Sequence, residues 1–222
     1  MRRGWAVFGA LALAGLLHAD WKIVTRTDGR DTTDYFKGKL ERTDSPGGYT
    51  TVLDSGQRRQ FAWRAGHKEY TVMEWPPQPP VPPAAGPVIT LVRTTIDTGE
   101  RKQIFGRTAR HLISTTKRSD APGINTVDGW YIDVPNLPAG KRGIAVGVLT
   151  TRSTGEHPAI PHIEVKQTGP APTGLVVYQK MKMDSPRLRE IVTEVTELQE
   201  TNLPDKLFAP PDGYKRVAAL SK

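Results

Sequence analysis

Between residues 21 and 74 apolar and polar side chains alternate in short runs separated by turn residues, the period-two pattern of half-buried antiparallel strands. In 35–42 the alternation sets Phe36, Gly38 and Leu40 on one face and Lys37, Lys39 and Glu41 on the other. Phe61 and Trp63 share a face in 59–64. Gly, Pro and Asp gather at 27–30, 46–48, 54–57 and 65–67, which marks those positions as turns. Five strands, at 21–26, 35–42, 49–54, 59–64 and 69–74, are therefore expected to form a meander. Seven prolines among the thirteen residues 75–87 interrupt the pattern. Such a segment favours extended polyproline II and is expected to join two halves of one sheet stiffly. Strands return at 88–95, pass a turn at 97–100, and continue at 101–105 and 107–116. Further strands are expected at 130–134, 144–150, 162–167 and 175–181.

The pattern changes after residue 184. Leu188, Ile191, Val192, Val195 and Leu198 recur at helical spacing, with Glu190, Glu194 and Glu197 on the polar side. Ser185 is suited to cap this helix, Pro186 to its first position, and Asn202 and Pro204 to its end. The stretch 207–217 reads as an extended piece docking at the sheet edge. The expected fold is α+β, mainly β: a curved antiparallel sheet, an open half-barrel, with one long C-terminal amphipathic helix packed on it. Residues 20–222 then form a single β-rich domain.

Arg2 and Arg3 precede an uncharged run at 4–17, too short for the roughly 20 residues that cross a hydrocarbon core as helix. The switch to polar composition at His18, Ala19 and Asp20 reads as a signal-peptide boundary, so residues 1–19 are expected to be removed on export to the periplasm or beyond. The formal net charge of +8 then falls to +6 with the loss of Arg2 and Arg3. An exported protein seldom meets nucleic acid, so this excess suits solubility or anionic envelope surfaces. With no cysteine, the chain has no thiolate zinc site, redox pair, cysteine nucleophile or lipid-bearing cysteine.

The sequence lacks a GxSxG elbow, a GxxxxGK[ST] phosphate loop, a GxGxxG after a strand and an HExxH helix. Glu156, His157, His162 and Glu164 are a metal-like cluster, but the five-residue step between the histidines fits neither a helix turn nor one strand face, and no metal is expected. His111 has the chemistry of a general base, yet no partner stands at a fixed spacing from it, so a structural role is expected. Arg101, Lys102, Arg107 and Arg110, followed by Lys117 and Arg118, would stack into a basic stripe across two adjacent strands. Only Phe105 lies among these charges, which argues against RNA binding.

Several stretches resemble exported bacterial proteins of the lipoprotein-carrier superfamily: 35–42 (YFKGKLER), 52–54 (VLD) and 68–72 (KEYTV). The stretches 98–111 (TGERKQIFGRTARH) and 128–133 (DGWYID) are similar to an exported branch related to it, and 207–215 (LFAPPDGYK) to the usual close of such domains. That branch carries cysteines near its middle loops, and this chain has none, so no disulfide or thiol role carries over. The resemblance implies an unclosed half-barrel with a helix across its concave side, and non-enzymatic binding of acyl chains or other lipophilic ligands without a cofactor. Phe36, Leu40, Phe61 and Trp63 on the sheet, with Leu188, Ile191 and Val195 on the helix, are the expected pocket. The alternative is a structural or protein-interaction module of the cell envelope. A monomer is expected, with lipid, acyl chains or an envelope protein as partner, no nucleic acid and no integral membrane segment.

Export makes the first testable statement. N-terminal sequencing of the protein recovered from its own cell envelope is expected to read from Asp20 or close to it; Met1 retained on membrane-bound material would contradict the signal assignment.

Overall fold

The computed structural model describes residues 19–75, 88–135, 137, 162–184 and 189–220. All but the last residue of the expected signal segment, all but the first residue of the proline-rich connection, the strand expected at 144–150 and the residues Ser185, Pro186 and Leu188 lie outside the described residues.

The described residues form thirteen strands. A meander comes first: β1 (Asp20–Thr27), β2 (Arg30–Lys37), β3 (Leu40–Ser45), β4 (Tyr49–Asp54), β5 (Arg59–Arg64) and β6 (Glu69–Glu74). After the proline-rich stretch come β7 (Val88–Ile104), β8 (Arg107–Arg118), β9 (Ile124–Ile132), β10 (His162–Thr168), β11 (Leu175–Met183) and β12 (Arg189–Thr201). A 3-10 turn, Asp205–Phe208, precedes the two-residue β13 (Lys215–Arg216). All thirteen strands belong to one open sheet, in the order β10-β7-β8-β9-β11-β12-β1-β2-β3-β4-β5-β6-β13. Every pairing is antiparallel except β10 with β7 and β13 with β6, which are parallel. β6 and β7, which flank the proline-rich stretch, thus lie near opposite ends of the order.

The expected C-terminal helix is a strand. β12 occupies the middle of the sheet, between β11 and β1. Its sequence explains both the strand and the misleading spacing. Ile191, Val192, Thr193, Val195, Thr196 and Thr201 are β-branched, stiff at χ1 and better suited to a pleated surface than to a helix. The register of β12 against β1 then slips by one residue: Ile23 faces Leu198 and Val24 faces Glu197, but Thr25 faces Val195. Thr196 is the extra residue of a β-bulge, its hydroxyl donating to the Val24 carbonyl at 3.4 Å. Cross-strand partners share a face, so Val195 and Leu198 point the same way although three residues apart. A bulge has turned a period of two into a step of three that mimics a helix turn.

A second correction concerns 35–42, which is two strands joined by a turn. Lys37 pairs with Leu40 and Phe36 with Glu41 across a two-residue loop whose first residue, Gly38, has φ +55°. A glycine there opens a II′-type hairpin, whose twist matches the flanking strands. The same arithmetic moves the expected turn at 97–100. That stretch is an irregularity inside the long β7, and the hairpin lies farther on, at Phe105 and Gly106, both at positive φ (+51° and +69°) as a type I′ turn demands.

Two apolar clusters hold the sheet. One gathers Trp21, Ile23 and Phe36 with Val195, Val177, Leu175, Ala109, Ile132, Val134 and Leu137, joining the first two strands to the later ones. The other joins Val52 and Trp63 to Leu203 and Phe208, flanked by Tyr35, Leu40, Phe61, Tyr70, Leu207 and Tyr214. The C-terminal segment therefore does what the helix was expected to do, covering the meander. It is pinned there by polar contacts: the Leu203 N–H donates to Asp20 Oδ2 at 3.0 Å, Arg42 donates to the Leu207 carbonyl at 2.8 Å, and Lys37 pairs with Asp205 at 2.8 Å. It ends as β13 on the edge of β6.

Val195 is buried and Gln199 exposed on the same strand. Val195→Asp should lower stability by several kcal/mol by burying a carboxylate without a partner, whereas Gln199→Ala should change it by less than about 0.5 kcal/mol. Urea unfolding midpoints of the two variants check this, and coincident midpoints would contradict the placement of β12.

Candidate functional site

Three strands bring together side chains that are far apart in the sequence. His111 pairs across strands with Trp130, and Ile113 with Asp128, so all four share a face of β8 and β9. The His111 ring stacks on the Trp130 indole at 4.7 Å between centroids and 10° between planes. Lys102, carried by β7 opposite Ala109, sets its ammonium 3.9 Å from the Trp130 ring centroid, a cation–π contact. Asp128 lies 2.7 Å from His111 Nε2, while Thr98 Oγ1 and Glu100 approach Nδ1 at 3.1 and 3.3 Å. Both ring nitrogens are thus engaged and the face of the ring is covered. A histidine so held ties three strands together through its two ring nitrogens and its stacked face. Sequence reasoning missed Asp128, Trp130 and Lys102 as its partners, because they stand on neighbouring strands at separations that no linear motif encodes. The alternation of Asp128 and Trp130 was the available signal.

The four basic candidates do not form one stripe. Arg101 and Arg110 are opposite each other on β7 and β8, while Lys102 alternates to the other face. Arg101 forms a bidentate pair with Asp97, two bonds of 2.8 Å. Arg110 reaches Asp133 at 3.0 Å and the Thr173 carbonyl at 3.2 Å. Arg107 donates to the Asp133 carbonyl at 3.2 Å and lies over the Trp21 ring. Arg118 pairs with Asp120 at 2.6 Å. Much of the positive charge is therefore neutralised locally.

The expected pocket residues are likewise divided between the two clusters. Phe36 is 2% exposed and packs in the first, the cluster of Trp21 and Val195. Trp63 is 3% exposed and lies in the second with Leu40 and Phe61, against Leu203 and Phe208. Ile191 faces Met181 within the sheet. Leu188 lies outside the described residues, as do Glu156 and His157; Glu164 is exposed on β10, and among the described residues no group of three metal-ligating side chains comes together. A surface cavity of about 460 Å³ opens between the ends of β9 and β11, lined by Asp133, Val134, Pro135, Thr173 and Gly174.

The two faces of β7 differ sharply. Ile89, Leu91, Arg93 and Thr95 are buried, and Thr95 Oγ1 meets Ser114 Oγ at 2.9 Å and accepts from Gln167 at 3.2 Å. Burial pushes the nearby Tyr131 phenol up, against a smaller opposing influence of Arg93. The alternate residues Val88, Val92 and Ile96 are exposed, Ile96 at 60%. Pairing adds Lys117, Ile113 and Ile124 to that same face.

The Arg101 guanidinium, aided by the Gly99 N–H, holds the Asp97 carboxyl down to about 2. A depressed carboxyl favours the folded hairpin above its ordinary value of 3.8, and that contribution is lost as pH falls through about 2. An NMR titration of the Asp97 carboxyl should give a midpoint near 2 that moves up towards 3.8 in Arg101→Ala; an unmoved midpoint would contradict the pairing.

The chain matches no protein-family model, and a search of the curated proteins finds no match either.

Proposed function

We propose that this chain is an exported, non-enzymatic interaction module of the cell envelope, which docks a partner protein on the outward face of β7, β8 and β9. The observation that carries this reading is Val88, Val92 and Ile96, exposed on one face of β7 with Thr90 and Thr94 between them, on a strand whose alternate residues are buried. An ordinary solvated strand face is polar, and large apolar side chains rimmed by Lys117 and Lys102 have the composition of a protein-contact surface. The contacts of both His111 nitrogens with Asp128 and Thr98 are consistent with its ordering β7, β8 and β9 beneath that face. Export is supported by Arg2, Arg3 and the uncharged run at 4–17.

A second reading, a carrier of a lipophilic or acyl ligand, is the one the resemblance to lipoprotein carriers implies. It is favoured by the cavity beside Val134 and Pro135, whose volume of about 460 Å³ lies in the range of small-molecule sites. Against it, Phe36 and Trp63 already pack against the chain's own side chains, Trp63 beside Leu203 and Phe208.

Two measurements separate the readings. A photo-crosslinking residue at Ile96 should give a discrete protein adduct in intact cells, and one at Met73, exposed on β6, should not. Titration with fluorescent fatty acids of increasing length should give no saturable binding. Affinity that rises with chain length, by about 0.8 kcal/mol per buried CH₂, together with no adduct at Ile96, would overturn the module reading in favour of the carrier.

A further inference from the structure

The two edges of the sheet are not alike. At one end the two-residue β13 blunts the edge, and the proline-rich stretch follows β6 directly. At the other end stands β10, seven residues long, with neither a proline nor a register shift against β7. Residues 163–168 are all exposed, Val165 at 52% and Ile163 at 39%. Such a strand presents outward-pointing N–H and C=O groups to any strand that can add to it, and natural edges of this kind are usually guarded. We propose that the occupant of this edge is the β10 strand of a second copy of the chain, paired antiparallel about a twofold axis at Val165.

The sequence of β10 selects that partner and that register. With the axis at Val165, each Glu164 lies opposite Lys166 of the other copy, each Ile163 opposite Gln167, and Val165 opposite itself. Glu164 and Lys166 are exposed and have no ion pair among the described residues, so both are available for the two cross-strand pairs. Moving the axis by one residue either way sets Glu164 against Glu164 or Lys166 against Lys166 at the centre, where like charges repel. The backbone agrees: each pair in the Val165 register joins odd to odd or even to even numbers. The residues whose peptide groups point away from β7 therefore meet each other and exchange roughly six to eight hydrogen bonds. The apolar row of Leu91 and Val165 continues across the axis into Val165 and Leu91 of the other copy. The dimer is an isologous assembly that pairs, in both copies, the β10 edge that no other described strand covers. It departs from the monomer expected from the sequence and leaves the outward face of β7–β9 uncovered, so it does not depend on the interaction-module reading.

Charge reversal tests the register directly. By sedimentation velocity the purified exported chain should run at twice the monomer mass at micromolar concentration. Glu164→Lys and Lys166→Glu should each weaken self-association at least about tenfold, because both central pairs become repulsive. Mixing the two variants should restore a dimer, since every Lys of one then faces a Glu of the other, and this arm also shows that both variants are folded. A wild-type chain that stays monomeric, single variants that dimerise as the wild type does, or a mixture that stays monomeric would each overturn the proposal.

Discussion

The pairing of β1 with β12 is the contact on which the rest of the sheet depends. It joins the N-terminal meander to the strands that follow the proline-rich stretch, and without it the order β10 to β13 falls into two separate sheets. The register slip at Thr196 lets this seam bury Val195 and pack the half-buried Leu198 on the same face beside Ile23, so a single extra residue sets how the two halves share a core. Lys22 and Glu197 bridge the same two strands at 2.9 Å, and Thr27 meets Thr193 at 3.2 Å near the other end. Because the first of these pairs is partly open to solvent, the seam rests on its apolar side chains and ladder bonds more than on charge.

Much of the β pattern was legible. The strands Tyr49–Asp54, Arg59–Arg64 and Glu69–Glu74 follow from alternation and flanking turns, because local rules decide short meander strands. Alternation fails where backbone geometry breaks it. Gly38 hides a reversal inside an apparently continuous strand and thereby sends Phe36 and Leu40 to opposite faces. Thr196 hides a bulge inside an apparent helix. In both places the periodicity was real, and the cause was a single residue whose backbone conformation leaves no mark on hydropathy. The β-branched content of β12 was the local signal that favoured a strand over a helix.

The candidate sites were less legible for a related reason. In a sheet protein the neighbours of a side chain come from adjacent strands at the same height, and register decides which. His111 meets Asp128 and Trp130, and Lys102 covers the same indole, only because β7, β8 and β9 are in one register. The basic residues of β7 and β8 were visible as a set; that Asp97 and Asp133 would neutralise Arg101 and Arg110 was not. The exposed face of Val88, Val92 and Ile96 shows the opposite limit, since alternation identifies two faces of a strand without saying which one is covered.

The seam between β1 and β12 also orders events in time. Asp20 pairs with Thr201, so the first strand to leave the ribosome waits for almost the last. Closing a loop of that length costs entropy before any seam contact repays it, and sheets dominated by such distant pairings fold slowly. The meander β2–β6 can form as its residues emerge, but its covering segment, Leu203 and Phe208, arrives later still. The nascent chain therefore stays open until synthesis is nearly complete. Until then its unpaired strand edges stay open to other chains.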